Sequence, residues 1–172
     1  MQFNVSSLLR EGTGATRVFA IDDDLVIDGQ RHPVRGEVRF DRTSRGVLVR
    51  ARMGGTMSGE CSRCLEPVTY GVDIEFEEEY LPTVDIHTGA RFELEEGEDP
   101  ESYRISERHF IDLAVPAREY WSIGLPMAPV CREDCAGLCP ECGAELAAGE
   151  HACTADKSDA RWAALGTLKL PS

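Results

Sequence analysis

The chain has 172 residues, a formal net charge of −13 and a pI near 4.7. That length suits one domain with an ordinary core and room for a small satellite module. A chain this acidic repels phosphate backbones at long range, which argues against a general nucleic-acid binder and leaves a basic protein partner or plain solubility as the use of the charge.

The N-terminal stretch MQFNVSSLLREGTG lacks the basic region and long apolar run of a signal peptide, and no apolar run reaches the roughly 18 residues of a membrane span. A cytoplasmic protein with reduced thiols and no membrane partner is therefore expected. The next half of the chain reads as β. In VRGEVRFD (34–41), Val34, Gly36, Val38 and Phe40 alternate with Arg35, Glu37, Arg39 and Asp41. In VLVRARM (47–53), Val47, Val49, Ala51 and Met53 share a face. In VTYGVDIEFEEEY (68–80), Val68, Tyr70, Val72, Ile74, Phe76 and Tyr80 oppose Thr69, Asp73, Glu75, Glu77 and Glu79. A period of two gives strands with one buried and one wet face, joined as an antiparallel meander or open barrel. Arg31, Arg35, Arg39, Arg42, Arg45, Arg50 and Arg52 fall in these strands and their turns. No aromatic residues interleave with them for base stacking, so an ordinary polar sheet face is favoured over an RNA platform.

The segment 82–102 breaks the pattern. Residues 75–101 hold eleven carboxylates against one arginine, so this insert reads as a solvated loop or a lure for a basic partner. A helix is predicted over about 111–123, with Asp112 as cap, Pro116 tolerated near the first turn, and Ile111, Ala114, Ala117, Tyr120 and Trp121 as its core stripe. Pro126 and Pro129 end it. A short terminal helix is expected after Asp159, with Trp162 and Leu165 on one face. The fold class is α+β: a β-rich core over 1–125 and a loop-rich, cysteine-rich module over 126–172.

The chemistry lies in the cysteines. VCREDCAGLCPECGAEL (130–146) holds four of the chain's seven, an odd number that cannot close wholly into internal disulfides. Two residues between cysteines, in a tight turn, let both sulfurs reach one ion. CSRC (61–64) and CPEC (139–142) have that spacing, and Gly143 suits the positive-φ position that closes the second turn. Cys131/Cys135 and His151/Cys153 add two further pairs. Eight ligands in four local pairs match two closed zinc sites. Cys61 and Cys64 join Cys131 and Cys135 in one partition, leaving Cys139, Cys142, His151 and Cys153 for the other site. In the rival partition the two knuckles share an ion, as in a zinc ribbon. Spacing leaves both open. A closed site offers no coordination position for substrate, so the zinc is expected to be structural. The competing reading is a thiol redox or metal-sensing protein, but CSRC follows a strand in a meander and lacks a βαβ setting. There is no phosphate-binding or dinucleotide glycine motif, and His32, His87 and His109 are isolated. Neither enzymatic activity nor a small-molecule substrate is expected.

Together CSRCLEPV, LPMAPVCREDCAGLCPECGAEL and DARWAAL resemble the YceD family, also called the large ribosomal RNA subunit accumulation protein, over roughly residues 30–170. SDAR stands for the usual D-P-R opening of the last helix, Ala147 for a common asparagine, and His151 where many relatives carry cysteine. The resemblance implies a bacterial factor for accumulation of large-subunit (23S) ribosomal RNA. Its partner is then a precursor of the large subunit or a basic ribosomal protein, with at most weak contact to RNA. The family also implies the pairing of Cys61/Cys64 with Cys131/Cys135, because some members keep that half and lack GLCPxCG.

Overall fold

The computed structural model describes residues 1–92, 103–146, 151 and 153. These form two compact units, one of residues Met1–Ser58 and Thr69–Met127, the other of Gly59–Val68 and Ala128–Ser172. The first unit is mostly β. Its sheet takes strands in the order β2 (Thr16–Ile27), β3 (Gln30–Arg42), β4 (Val47–Glu60), β5 (Pro67–Pro82) and the two-residue β6 (Arg104–Ile105). Neighbours β2/β3 and β3/β4 pair antiparallel, whereas β6 runs parallel to β5. A separate pair joins β1 (Gln2–Asn4) to β7 (Phe110–Asp112). The helices among the described residues are α1 (Ser6–Leu9) and α2 (Ala114–Gly124).

Alternation builds the core as the sequence predicts. Val34, Val38 and Phe40 of β3, Val47, Val49, Ala51 and Met53 of β4, and Val72, Ile74, Phe76 and Tyr80 of β5 are all buried. Each large side chain removed from water contributes about 1.5–3 kcal/mol. Leu8 and Leu9 of α1, Ile111 of β7, and Ala117 and Trp121 of α2 are buried in the same cluster. The Tyr80 hydroxyl, pushed up in pKa by burial, donates to the Asp112 carbonyl at 3.1 Å.

Two elements differ from expectation. β2 is a full strand, and the turn that joins it to β3 is Asp28–Gly29, both at positive φ, the geometry of a two-residue hairpin. The helix begins three residues later than predicted. Residues 110–112 pair with β1 instead, and the Asp112 carboxylate accepts from the Ala114 N–H at 2.8 Å. Pro116 then falls in the first turn, where its missing N–H costs no helical bond. The helical share is small, so the α component of the α+β expectation is thin. Within the insert, residues 83–92 fold back through a Val84–Arg91 bridge, with the Asp85 carboxylate holding the turn. Most of its carboxylates (Glu93, Glu95, Glu96, Glu98, Asp99, Glu101) and the terminal helix around Trp162 lie outside the described residues. No helix among the described residues is long and apolar enough to cross a membrane.

Candidate metal centre

The second unit is organised by two knuckle turns of one design. In the first, the Leu65 N–H donates to the Cys61 carbonyl at 2.9 Å and the Cys61 N–H to the Glu66 carbonyl at 2.8 Å. In the second, the Gly143 N–H donates to the Cys139 carbonyl at 2.9 Å and the Cys139 N–H to the Ala144 carbonyl at 2.8 Å. The fifth position is left-handed in both: Leu65 at φ 65° and Gly143 at φ 74°. This geometry turns peptide N–H groups towards the first cysteine's sulfur. Those of Cys64 and Arg63, with a smaller share from Cys131, outweigh burial and bring the Cys61 thiol down to about 6. Those of Cys142 and Glu141 do the same for Cys139, also to about 6.

The structure gathers Cys61, Cys64, Cys131 and Cys135 into one tetrad, and Cys139, Cys142, His151 and Cys153 into another. Within each, every potential ligand atom lies within 4.8 Å of the others. The knuckles therefore sit in different tetrads rather than facing each other across one ion. In the first tetrad the Cys64 and Cys131 sulfurs are 3.7 Å apart and those of Cys61 and Cys135 3.9 Å. Both distances far exceed a disulfide bond of about 2.05 Å. Bonds of about 2.3 Å at tetrahedral angles would set the sulfurs about 3.8 Å apart, so the donors fit one tetrahedral ion. In the second tetrad the Cys142 sulfur and His151 Nε2 are 3.1 Å apart, a thiol–imidazole contact shorter than the roughly 3.6 Å edge of a tetrahedral site.

The electrostatics suit a cation between the sulfurs. The neighbouring sulfur of Cys135, then burial and the sulfurs of Cys64 and Cys61, push the Cys131 thiol up to about 12. At Cys64 the Glu66 N–H pulls downward, but burial and the sulfurs of Cys61 and Cys135 prevail and the thiol is raised. One thiolate per tetrad is favoured by the backbone; several together need a positive charge between them.

The tetrads differ in enclosure. Cys61, Cys64 and Cys135 are buried with Val130 against them, and only Cys131 is exposed. In the second, Cys139 is buried while Cys142 and Cys153 are exposed. Two features that the cysteine pattern does not disclose hold the first tetrad. The Arg63 guanidinium donates from Nη1 to the carbonyls of Glu133 and Cys135, at 3.1 and 3.0 Å, closing the 131–135 loop. Gly137, at φ 76°, lets the Leu138 N–H reach the Arg63 carbonyl at 3.0 Å; a Cβ there would lie 2.9 Å from that oxygen. The arginine inside CSRC and the glycine of GLC were the available signals.

The strand arginines of the first unit are laced with carboxylates. Arg39 and Arg50, opposite each other in the β3/β4 register, both bind Asp41, at 2.9 and 2.7 Å. Arg50 also binds Glu77, Arg52 binds Glu75 at 2.7 Å, and Arg35 binds Asp22 at 3.3 Å. This face is a mixed-charge lattice rather than a basic stripe.

Uncharacterized proteins of Mycobacterium tuberculosis and Mycobacterium bovis are 37% identical to the chain over 135 residues, which is 78% of this chain and 61% of theirs. One from Mycobacterium leprae is 29% identical over 148 residues, 86% of this chain and 64% of its own length. The chain thus spans under two thirds of the length of these curated relatives. No solved structure gives a significant match. The family described as large ribosomal RNA subunit accumulation protein YceD matches residues 49–169, a stretch that takes in both knuckles and every member of both tetrads. On that match the chain belongs to the YceD family.

Proposed function

We propose that this protein is a non-enzymatic ribosome-assembly factor that supports accumulation of large-subunit ribosomal RNA, with each tetrad holding a structural zinc ion. The family match carries the ribosomal half of this reading. The donor sets support the metal half: four thiolates at tetrahedral spacing in the first tetrad, and three thiolates with one imidazole within 4.8 Å of one another in the second, suit zinc, and each tetrad offers four protein ligands. Bound zinc would supply folding free energy to the second unit, about 10 kcal/mol or more per site in small modules of this kind. Metal content tests this directly. Protein purified without chelator and under reducing conditions should hold two zinc ions per chain; metal-free protein of full solubility and intact fold would instead favour the thiol-redox reading.

The partner is read from charge. A chain of net charge −13 whose strand arginines are paired with carboxylates has little attraction for naked RNA. It suits a basic ribosomal protein or a precursor particle that displays one. Binding to such particles should weaken as salt rises from 0.1 M, where charges are felt over about 10 Å, to 1 M, where the range is about 3 Å. Replacing Glu93, Glu95, Glu96 and Glu98 by Gln should weaken it at low salt. Tight binding of naked large-subunit RNA at physiological salt would overturn the assignment.

A further inference from the structure

The sheet ends in a long strand, β2, which bonds β3 along one side and has no other strand beside it among the described residues. Its register with β3 runs unbroken from Thr16 opposite Asp41 to Ile27 opposite Gln30, so no bulge twists the edge away. The two-residue turn makes Ile27 and Gln30 a hydrogen-bonded pair, and antiparallel pairing alternates from there. Val18, Ala20, Asp22, Asp24 and Val26 therefore turn their backbone N–H and C=O groups outward. The Asp24 N–H donates to the Asp23 carboxylate at 2.8 Å. Among the described residues no other hydrogen bond reaches the backbone of this row. β1 does not cap it: the Phe3 ring lies 5.6 Å from that of Phe19, but the strand pairs with β7. Val18, Phe19 and Val26 leave large apolar surface exposed along β2. Neither proline nor lysine, the common guards of an open edge, occurs in the strand. Asp22, Asp23 and Asp24 stand exposed in its middle instead. Asp22 pairs with Arg35 at 3.3 Å and Asp23 with the N-terminal ammonium at 3.5 Å, while Asp24 has no cation beside it among the described residues.

We propose that the β2 edge receives an added antiparallel strand from a partner protein: an extended segment with lysine or arginine at its centre and β-branched residues towards its ends. Main-chain bonds to the outward row would supply affinity, and alternate side chains specificity. On the wet face Val18 and Val26 flank Asp22 and Asp24, so the order on β2 is apolar, acidic, apolar. The complementary strand is apolar, basic, apolar, because opposite charges facing each other across a strand pair stabilise it. The same aspartates decide against a second copy of this chain. Two β2 edges paired about a two-fold axis would bring their aspartate triplets together, and like charges facing across strands are destabilising. A nucleic acid has no peptide ladder to complete and is repelled by the same carboxylates. This inference rests on the basic-partner reading above and gives that partner a place to bind.

The test uses the full chain and a capped peptide, Val-Thr-Lys-Thr-Lys-Thr-Val-Thr-Val, whose lysines would face Asp24 and Asp22. One control peptide replaces both lysines by glutamate. A second is N-methylated at both lysines, which keeps the charge and removes two donors that would face β2. Calorimetry gives affinity, and amide hydrogen exchange gives location. The parent peptide should bind one to one with Kd below about 1 mM and slow exchange at Val18, Ala20, Asp22 and Val26. Glutamate substitution and N-methylation should each weaken binding on the order of tenfold or more. Proline is tolerated in an edge strand where the N–H faces solvent, so Ala20→Pro should keep the fold and lose the peptide. Asp24→Lys, at an exposed position, should weaken binding on the order of fivefold. The proposal is overturned if the parent peptide binds no tighter than about 1 mM, or if the N-methylated peptide binds as tightly as the parent, which is charge attraction alone. It is also overturned if sedimentation shows a dimer that Ala20→Pro dissociates, since a second copy then occupies the edge. Precursor particles separate this inference from the wider one. Salt-sensitive particle binding that Ala20→Pro and Asp24→Lys leave unchanged removes the edge and keeps the basic partner. Peptide binding with no particle binding keeps the edge and removes the ribosomal partner.

Discussion

Single residues around the first tetrad carry more than their place in a motif suggests. Arg63 ties two carbonyls of the 131–135 loop, so Arg63→Ala should let a chelator strip the first site faster, on the order of tenfold, while the second site is unaffected. Chelator-release kinetics followed with a coloured zinc indicator would check this. Gly137→Ala forces a left-handed side-chain-bearing residue against the Arg63 carbonyl, at a cost of about 1–2 kcal/mol, measurable as a lower unfolding temperature of the metal-loaded protein. Leu65 poses the reverse case. It occupies the left-handed position that Gly143 fills in the sister turn, and it is 59% exposed. Leu65→Gly should therefore be neutral or stabilising by up to about 1 kcal/mol. A clear loss of stability would mean that the leucine side chain makes a contact of its own.

Among the elements, the three central strands were legible because each buries every second residue against one core, and period two is all that this requires. β2 was not, for a physical reason. As an edge strand it buries only Ile21 and Leu25 and leaves Val18, Phe19 and Val26 exposed, and Asp22–Asp24 interrupt the alternation. The Asp-Gly turn after it was the stronger clue. The helix start was misplaced because Ile111 fits a helical stripe as well as a strand, and only pairing with β1 decides between them. The cysteine pairs were visible in the sequence, but their division was not, since the first tetrad joins segments far apart in the chain. At the sheet's wet face, Asp41 links β2, β3 and β4 through Thr16, Arg39 and Arg50. Burial raises its carboxyl pKa, but the Thr16 and Arg39 hydrogen bonds and the Arg39 and Arg50 charges prevail and hold it below the ordinary value. A depressed carboxyl stabilises the fold above its unfolded pKa near 3.9, and that contribution fades as pH falls through the folded value. Asp41→Asn should thus be less stable than the parent at pH 7, with the gap closing below about pH 4 in parallel denaturant titrations.

For the whole molecule, the two tetrads should behave as separable sites. Cys64→Ser should cost one zinc ion and expose residues 59–68 and 128–138 to protease, while Cys142→Ser should cost the other ion and leave the first tetrad protected. If Cys142→Ser opens the 61–64 turn instead, the knuckles share an ion and the division into these two tetrads is wrong. The first tetrad also spans an unusual stretch of chain. Cys64 and Cys131 are 67 positions apart, and the residues between them include β5, β6, β7 and α2. At about 5–20 residues per second of synthesis, the first two thiols wait on the order of 3–13 s for the second two. The second tetrad, confined to residues 139–153, waits about 1–3 s at the same rates. The first tetrad therefore cannot assemble until β5, β6, β7 and α2 have all been made, and any metal it takes up during synthesis would enter in that order. A ribosome stalled between those pairs would carry a half-site of two cysteines, open to any thiophilic ion in the cell, and the finished first site is in effect a receipt that the preceding chain was completed.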